Sequence, residues 1–144
     1  MLQNLADGSA LVALSVLIHT GGLILIAAST PWLARLLGLH RHDVGRTLVM
    51  TATVMGILAT LTIEVWVWAL AYQSLGATVS FEDALYVSTS IFSTVGNDGT
   101  YFDPHWRLMA ALEGINGFLM IGWSTAYLVR ASTRHGPFRT KDHF

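Results

Sequence analysis

Apolar residues fall along the chain in two long runs and a third, interrupted one. Residues 11–29 are apolar except for Ser15, His19, Thr20 and the closing Ser29, and a helix needs about 20 such residues to cross a bilayer core. Pro31 and Trp32 follow, then a short apolar stretch with Arg35, which together predict an interfacial turn. Residues 39–46 (Leu-His-Arg-His-Asp-Val-Gly-Arg) form the one strongly polar interior linker. A second run spans residues 47–75 with Glu64 as its sole charge, and Trp66, Trp68 and Tyr72 lie toward its end. Aromatic groups of that kind settle at the headgroup level.

The third region is built differently. Ser80 followed three residues later by Asp83 resembles a capping box and predicts a helix from about Phe81. It ends near Phe92, where a Gly-rich run begins, so its length is roughly 18 Å, enough to reach mid-bilayer and no farther. A short apolar helix that ends in irregular backbone suits a re-entrant segment buried in protein or lining a wet cavity. Its carbonyl end would favour a cation. Residues 101–106 then return to the surface, residues 108–129 form a third span, and residues 130–144 form a polar, basic tail.

Composition puts this pattern in a membrane. Of 144 residues, 53% are apolar and 12% charged, with a mean hydropathy of +0.53, and soluble domains average about 25% charged. The absence of cysteine removes disulfides, thiolate metal sites and thiol catalysis. A net charge of −1 gives no basic face for nucleic acid. The first ten residues hold Asp7 and no Lys or Arg, unlike a signal sequence, so the first apolar segment is expected to be retained. Of the eight Lys and Arg residues, Arg35, Arg41 and Arg46 lie in or beside the linker, and Arg130, Arg134, Arg139 and Lys141 in the tail. Only Arg107 lies elsewhere. The positive-inside rule then puts linker and tail in the cytoplasm, with the N-terminus and residues 76–107 outside.

Between the short helix and the last span lies Ser93-Thr94-Val95-Gly96-Asn97-Asp98-Gly99. Thr-Val-Gly in that position resembles the ion-selectivity filter of the potassium-channel superfamily. The order of outer span, short helix, filter turn and last span resembles that superfamily's pore module over about residues 47–131. The likeness is nearest to small bacterial ion channel pore-module proteins, through Ala84-Leu85-Tyr86, Trp106-Arg107-Leu108, Glu113 and the block from Gly117 to Ala126 (Gly-Phe-Leu-Met-Ile-Gly-Trp-Ser-Thr-Ala).

The resemblance implies an all-α membrane protein with three transmembrane helices, a re-entrant pore helix and a filter loop. Residues 1–46 would be an added N-terminal helix and linker, 47–131 the pore module and 132–144 a cytoplasmic tail. One loop per chain implies a homotetramer in lipid, in a bacterial plasma membrane. The Thr94 hydroxyl and the carbonyls of Thr94, Val95 and Gly96 would coordinate dehydrated K⁺, and Gly117 or Gly122 would allow a gating bend. The superfamily's filter continues Tyr-Gly-Asp, whereas this chain continues Asn97-Asp98-Gly99. Asn and Asp adopt positive φ less readily than Gly, which leaves the outer ion sites open to question. Fourfold repetition would set a ring of Asp98 carboxylates at the mouth. A non-selective Na⁺/K⁺ pore, responsive to Ca²⁺, is therefore the alternative. A non-conducting scaffold or regulatory subunit is the alternative of another class. No enzyme is expected, since neither Glu64 nor Glu113 has a catalytic partner evident in sequence.

Intramembrane ionisable groups raise functional questions by default. Glu64 and Glu113 are expected near the outer ends of their spans, bonding the back of the pore loop, with Arg107 as another partner for Glu113. His19 reads as a helix-packing residue, with a pH sensor or metal ligand as the sharper option. His40, His42, His135 and His143 read as solvated, and Trp123 lies too deep for an interfacial anchor.

Overall fold

The computed structural model describes residues 2–36, 43–96 and 99–135. The linker around His40, Arg41 and His42, the pair Asn97-Asp98 and the tail from residue 136 lie outside the described residues. Among the described residues every regular element is helical: α1 (Leu2–Leu36), α2 (Asp43–Ser74), α3 (Phe81–Phe92), a short 3₁₀ turn (Pro104–Trp106) and α4 (Arg107–His135). Of these, Leu2–Leu33 and Val44–Ser74 are long and apolar enough to cross a membrane.

Three long helices pack in alternating directions. Along α1, Ser15, His19, Gly22 and Ile26 meet Trp68, Glu64, Thr60 and Gly56 of α2 in turn, so those two helices are antiparallel. Asn4, Gly8 and His19 meet His105, Leu112 and Ser124, so α1 runs parallel to α4. The N-terminus therefore lies at the same end as the α2–α4 connection. Helix α3 packs into the angle between α2 and α4. Its last residue, Phe92, reaches the level of Gly117, ten residues into α4 and hence ~15 Å along it. The excursion closes where it opened, because Asp103 N donates to the Ala77 carbonyl at 2.9 Å.

The core sits at that end. Trp68, Tyr72, Ala84, Val87, Phe92, Trp106 and Met109 form the larger cluster, and Leu23, Ile26 and Ile57 form a smaller one toward the opposite end. Helix α4 is longer than the predicted span but less apolar than α1 and α2: it carries Arg107, Arg130 and Arg134 as well as Glu113, Asn116 and Ser124, the last three turned inward and buried.

The turn predicted at Pro31 is not formed. Helix α1 continues through Pro31 to Leu36. A continued helix leaves only the proline's missing bond unmade, at the Ala27 carbonyl, whereas a turn would release several backbone groups. Ser29 and Thr30 both donate to the neighbouring Ile26 carbonyl, at 3.1 and 2.7 Å.

Candidate pore site

Ser80 starts α3 as expected: its hydroxyl oxygen accepts from Asp83 N at 3.0 Å, and the hydroxyl donates to Asp83 Oδ2 at 2.7 Å. The cap satisfies one of the helix's orphan N–H groups and fixes its entry angle. At the other end, the N–H groups of Ser93, Thr94 and Gly96 turn back onto the Thr89, Ile91 and Ser90 carbonyls at 2.9–3.0 Å. Those carbonyls are therefore satisfied within the chain, so the expected attraction of a cation to the helix end is reduced to its dipole. Thr94 has φ +65° and Gly96 φ +92°, with Gly99 at +85° beyond the undescribed pair. Thr94 is the one residue other than Gly with positive φ among those described, at a cost of roughly 1–2 kcal/mol for an L-residue. Residues 93–96 are all exposed in the single chain, Val95 to 82%.

Behind this segment the three neighbouring helices meet at one carboxylate. Glu113 of α4 accepts from Ser88 Oγ of α3 and from Tyr72 Oη of α2, both at 2.5 Å. Ser88 also lies 3.0 Å from the Val65 carbonyl of α2. Glu113 thus bonds α3 behind residues 93–96, while Arg107 donates from Nε to the Pro104 carbonyl at 3.2 Å. Lower down, a Cβ at Gly117 would run into the Phe92 backbone, so the α3 terminus rests directly on the α4 main chain. Gly122 has open space around it.

Glu64 departs from the expectation. It does not face the pore loop; it pairs with His19 of α1, Oε1 to Nδ1 at 2.9 Å, with both side chains fully buried. The other imidazole nitrogen lies 3.5 Å from Ser124 Oγ of α4, and the Trp123 ring packs 5.3 Å from the imidazole. His19 is therefore a packing residue with a defined partner, and Trp123, itself exposed, lays its ring against the imidazole. A carboxylate, an imidazole and a hydroxyl in this order resemble a hydrolase triad. However, Ser124 is buried, its contact is long, and the two grooves described below do not touch it. Sequence reasoning missed this hub, and it missed Asn116, whose amide is buried with no hydrogen-bond partner. Among the described residues no cluster of three or more His, Asp or Glu is placed to hold a metal.

A family model described as ion channel matches residues 60–134, just over half of the chain. The chain belongs to the ion channel family. This is the two-transmembrane pore-loop type, so the match supports a potassium-channel-superfamily pore module and a membrane location. The channel module covers the end of α2, α3, residues 93–96 and α4; α1 and the start of α2 precede the match. The family is one of channels and not of enzymes. No curated protein and no solved structure matches the chain.

Proposed function

We propose that the chain forms a homotetrameric cation channel in which α3 is a re-entrant pore helix and Thr94-Val95-Gly96 the filter. In this reading α4 is the third span, and K⁺ passes by exchanging its hydration shell for backbone carbonyls. The observation that carries the reading is the backbone of residues 93–96: N–H groups fastened to the end of α3, with positive φ at Thr94 and Gly96. Fastening the N–H side inward leaves the carbonyl side for ions. A strained non-Gly φ is the kind of feature that persists where a site requires it. Exposure of this whole segment in one chain fits a surface that partner chains complete.

The basic linker and tail favour a cytoplasmic C-terminus and an outward N-terminus, in a bacterial plasma membrane. Gly122, with open space around it, is the freer of the two gating candidates, because Gly117 is held by its contact with Phe92. Asn97-Asp98 in place of the superfamily's Tyr-Gly favours a second reading, a pore that passes Na⁺ as well as K⁺. Ion flux through purified protein in liposomes tests both. A reversal potential that follows K⁺ alone supports the selective filter, and one that follows both ions supports the second reading. No flux of either ion would leave the non-conducting scaffold, and an assembly other than four chains would sink both channel readings.

A further inference from the structure

The half of the bundle away from the pore segment is loosely filled. A groove of about 460 Å³ follows the α1–α2 seam from Ile18 and Ile63 to Leu33 and Val49, over a floor that includes Gly22 and Gly56. A second cavity of about 250 Å³ lies where α1, α2 and α4 meet, and its wall includes Ala27, Pro31, Tyr127 and Arg130. The two share Thr30 and Thr53.

Each cavity selects a different part of one ligand. The seam groove is apolar and opens among exposed aliphatic side chains, Leu25 and Ile63 on its own rim. From Thr30 to Ile18 it follows α1 for roughly 18 Å, close to the ~15 Å of one hydrocarbon leaflet. The smaller cavity is polar at its end. Arg130 lines it, and Arg35, whose Nε donates to the Pro31 carbonyl at 3.2 Å, sits one helical turn beyond that wall residue. Proline has no N–H to give the carbonyl four residues back. The Ala27 carbonyl, in the same wall, is thereby left as an acceptor without its helical donor.

We propose that these cavities bind one anionic membrane phospholipid, with an acyl chain in the seam groove and the phosphate at Arg130 and Arg35. A phosphatidylglycerol headgroup fits the chemistry. Its phosphate is not neutralised by a fixed cation, and its hydroxyls can donate to the Ala27 carbonyl. A choline headgroup would set a quaternary ammonium beside two guanidinium groups and offers no donor. The proposal depends on membrane residence and not on ion conduction.

The absence of cysteine allows a direct test. Ala59→Cys, which lines the groove and is exposed, would carry a single fluorophore in the full chain reconstituted in phosphatidylcholine vesicles. Brominated phosphatidylglycerol is expected to quench it at a mole fraction roughly fivefold lower than brominated phosphatidylcholine, the factor that one arginine contributes near a membrane surface. Arg130→Gln with Arg35→Gln should remove that preference, while Arg130→Lys should keep it. Ala52→Phe, which fills the groove, should reduce quenching by both lipids. Equal quenching by the two lipids with both arginines present would overturn the proposal, as would a preference that survives the double glutamine variant. A fluorophore that neither lipid reaches would also overturn it, and would show the groove covered by a second copy of the chain.

Discussion

Glu113 and Glu64 look alike in sequence, each a solitary carboxylate in an apolar run, and the structure gives them opposite tasks. Glu113 has both oxygens occupied, by Ser88 and Tyr72, and ties α3 to α2 and α4. Glu64 uses one oxygen on His19, has no partner for Oε2, and ties α1 to α2. The Glu113 hub lies within the part of the chain matched to the ion channel family and directly behind residues 93–96; the Glu64 pair reaches outside it, to α1. The difference shows that a buried charge is interpreted by what meets it. A carboxylate held by two neutral hydroxyls fixes a backbone, whereas a carboxylate held by an imidazole fastens an accessory helix.

Removing each carboxylate's partners should separate the two tasks. Glu113→Ala strands the buried Tyr72 hydroxyl and leaves Ser88 only the Val65 carbonyl, and is expected to lose about 3–6 kcal/mol, roughly 1–3 from the unsatisfied hydroxyl and the rest from the cavity left behind. Unfolding in detergent reads that loss, and altered ion selectivity in liposomes should accompany it because α3 loses its tether. His19→Ala leaves an uncompensated buried carboxylate and should cost about 3–5 kcal/mol, with selectivity in any protein that still assembles unchanged. The double variant His19→Leu with Glu64→Leu should recover most of that stability, since a buried pair replaced by apolar groups is often neutral. If the double variant is as unstable as His19→Ala, the pair has a role that packing does not replace.

Smaller changes sharpen the same contrast on the pore side. Gly117→Ala pushes a methyl group against the Phe92 backbone and is expected to cost about 1–3 kcal/mol, while Gly122→Ala should stay within about 0.5 kcal/mol. Equal effects at the two positions would contradict the close approach seen at Gly117 alone. Ser80→Ala should cost about 1 kcal/mol through the lost cap, detectable as faster amide exchange in the first turn of α3.

What was legible in sequence was local. The bounds of α3 follow from a cap residue and a Gly-rich stop a dozen residues apart, and the structure reproduces them. The turn expected at Pro31 failed because a proline in a continued helix forfeits one backbone bond, whereas a turn would forfeit several. The His19–Glu64 pair was illegible because 45 residues separate its members, and only the register of the α1–α2 hairpin brings them together. A faint signal existed. The residues at 15, 19, 22 and 26 on α1 step by four, three and four, and those at 68, 64, 60 and 56 on α2 step by four in the opposite direction. Asn116 gave no signal, and the structure offers no partner that explains it.

The hydrogen bond from Asp103 to Ala77 has a consequence for how the protein is made. It brings together the two ends of an excursion whose middle, α3, rests on Glu113 and Gly117, residues synthesised later than α3 itself. When α3 leaves the ribosome, only α2 is available to it, and the Ser88 hydroxyl has the Val65 carbonyl but no carboxylate. Helix α3 therefore completes its contacts only once α4 is in place. A hairpin of α1 and α2 can form first, and α3 gains its remaining contacts with α4 as the Ala77–Asp103 clasp closes.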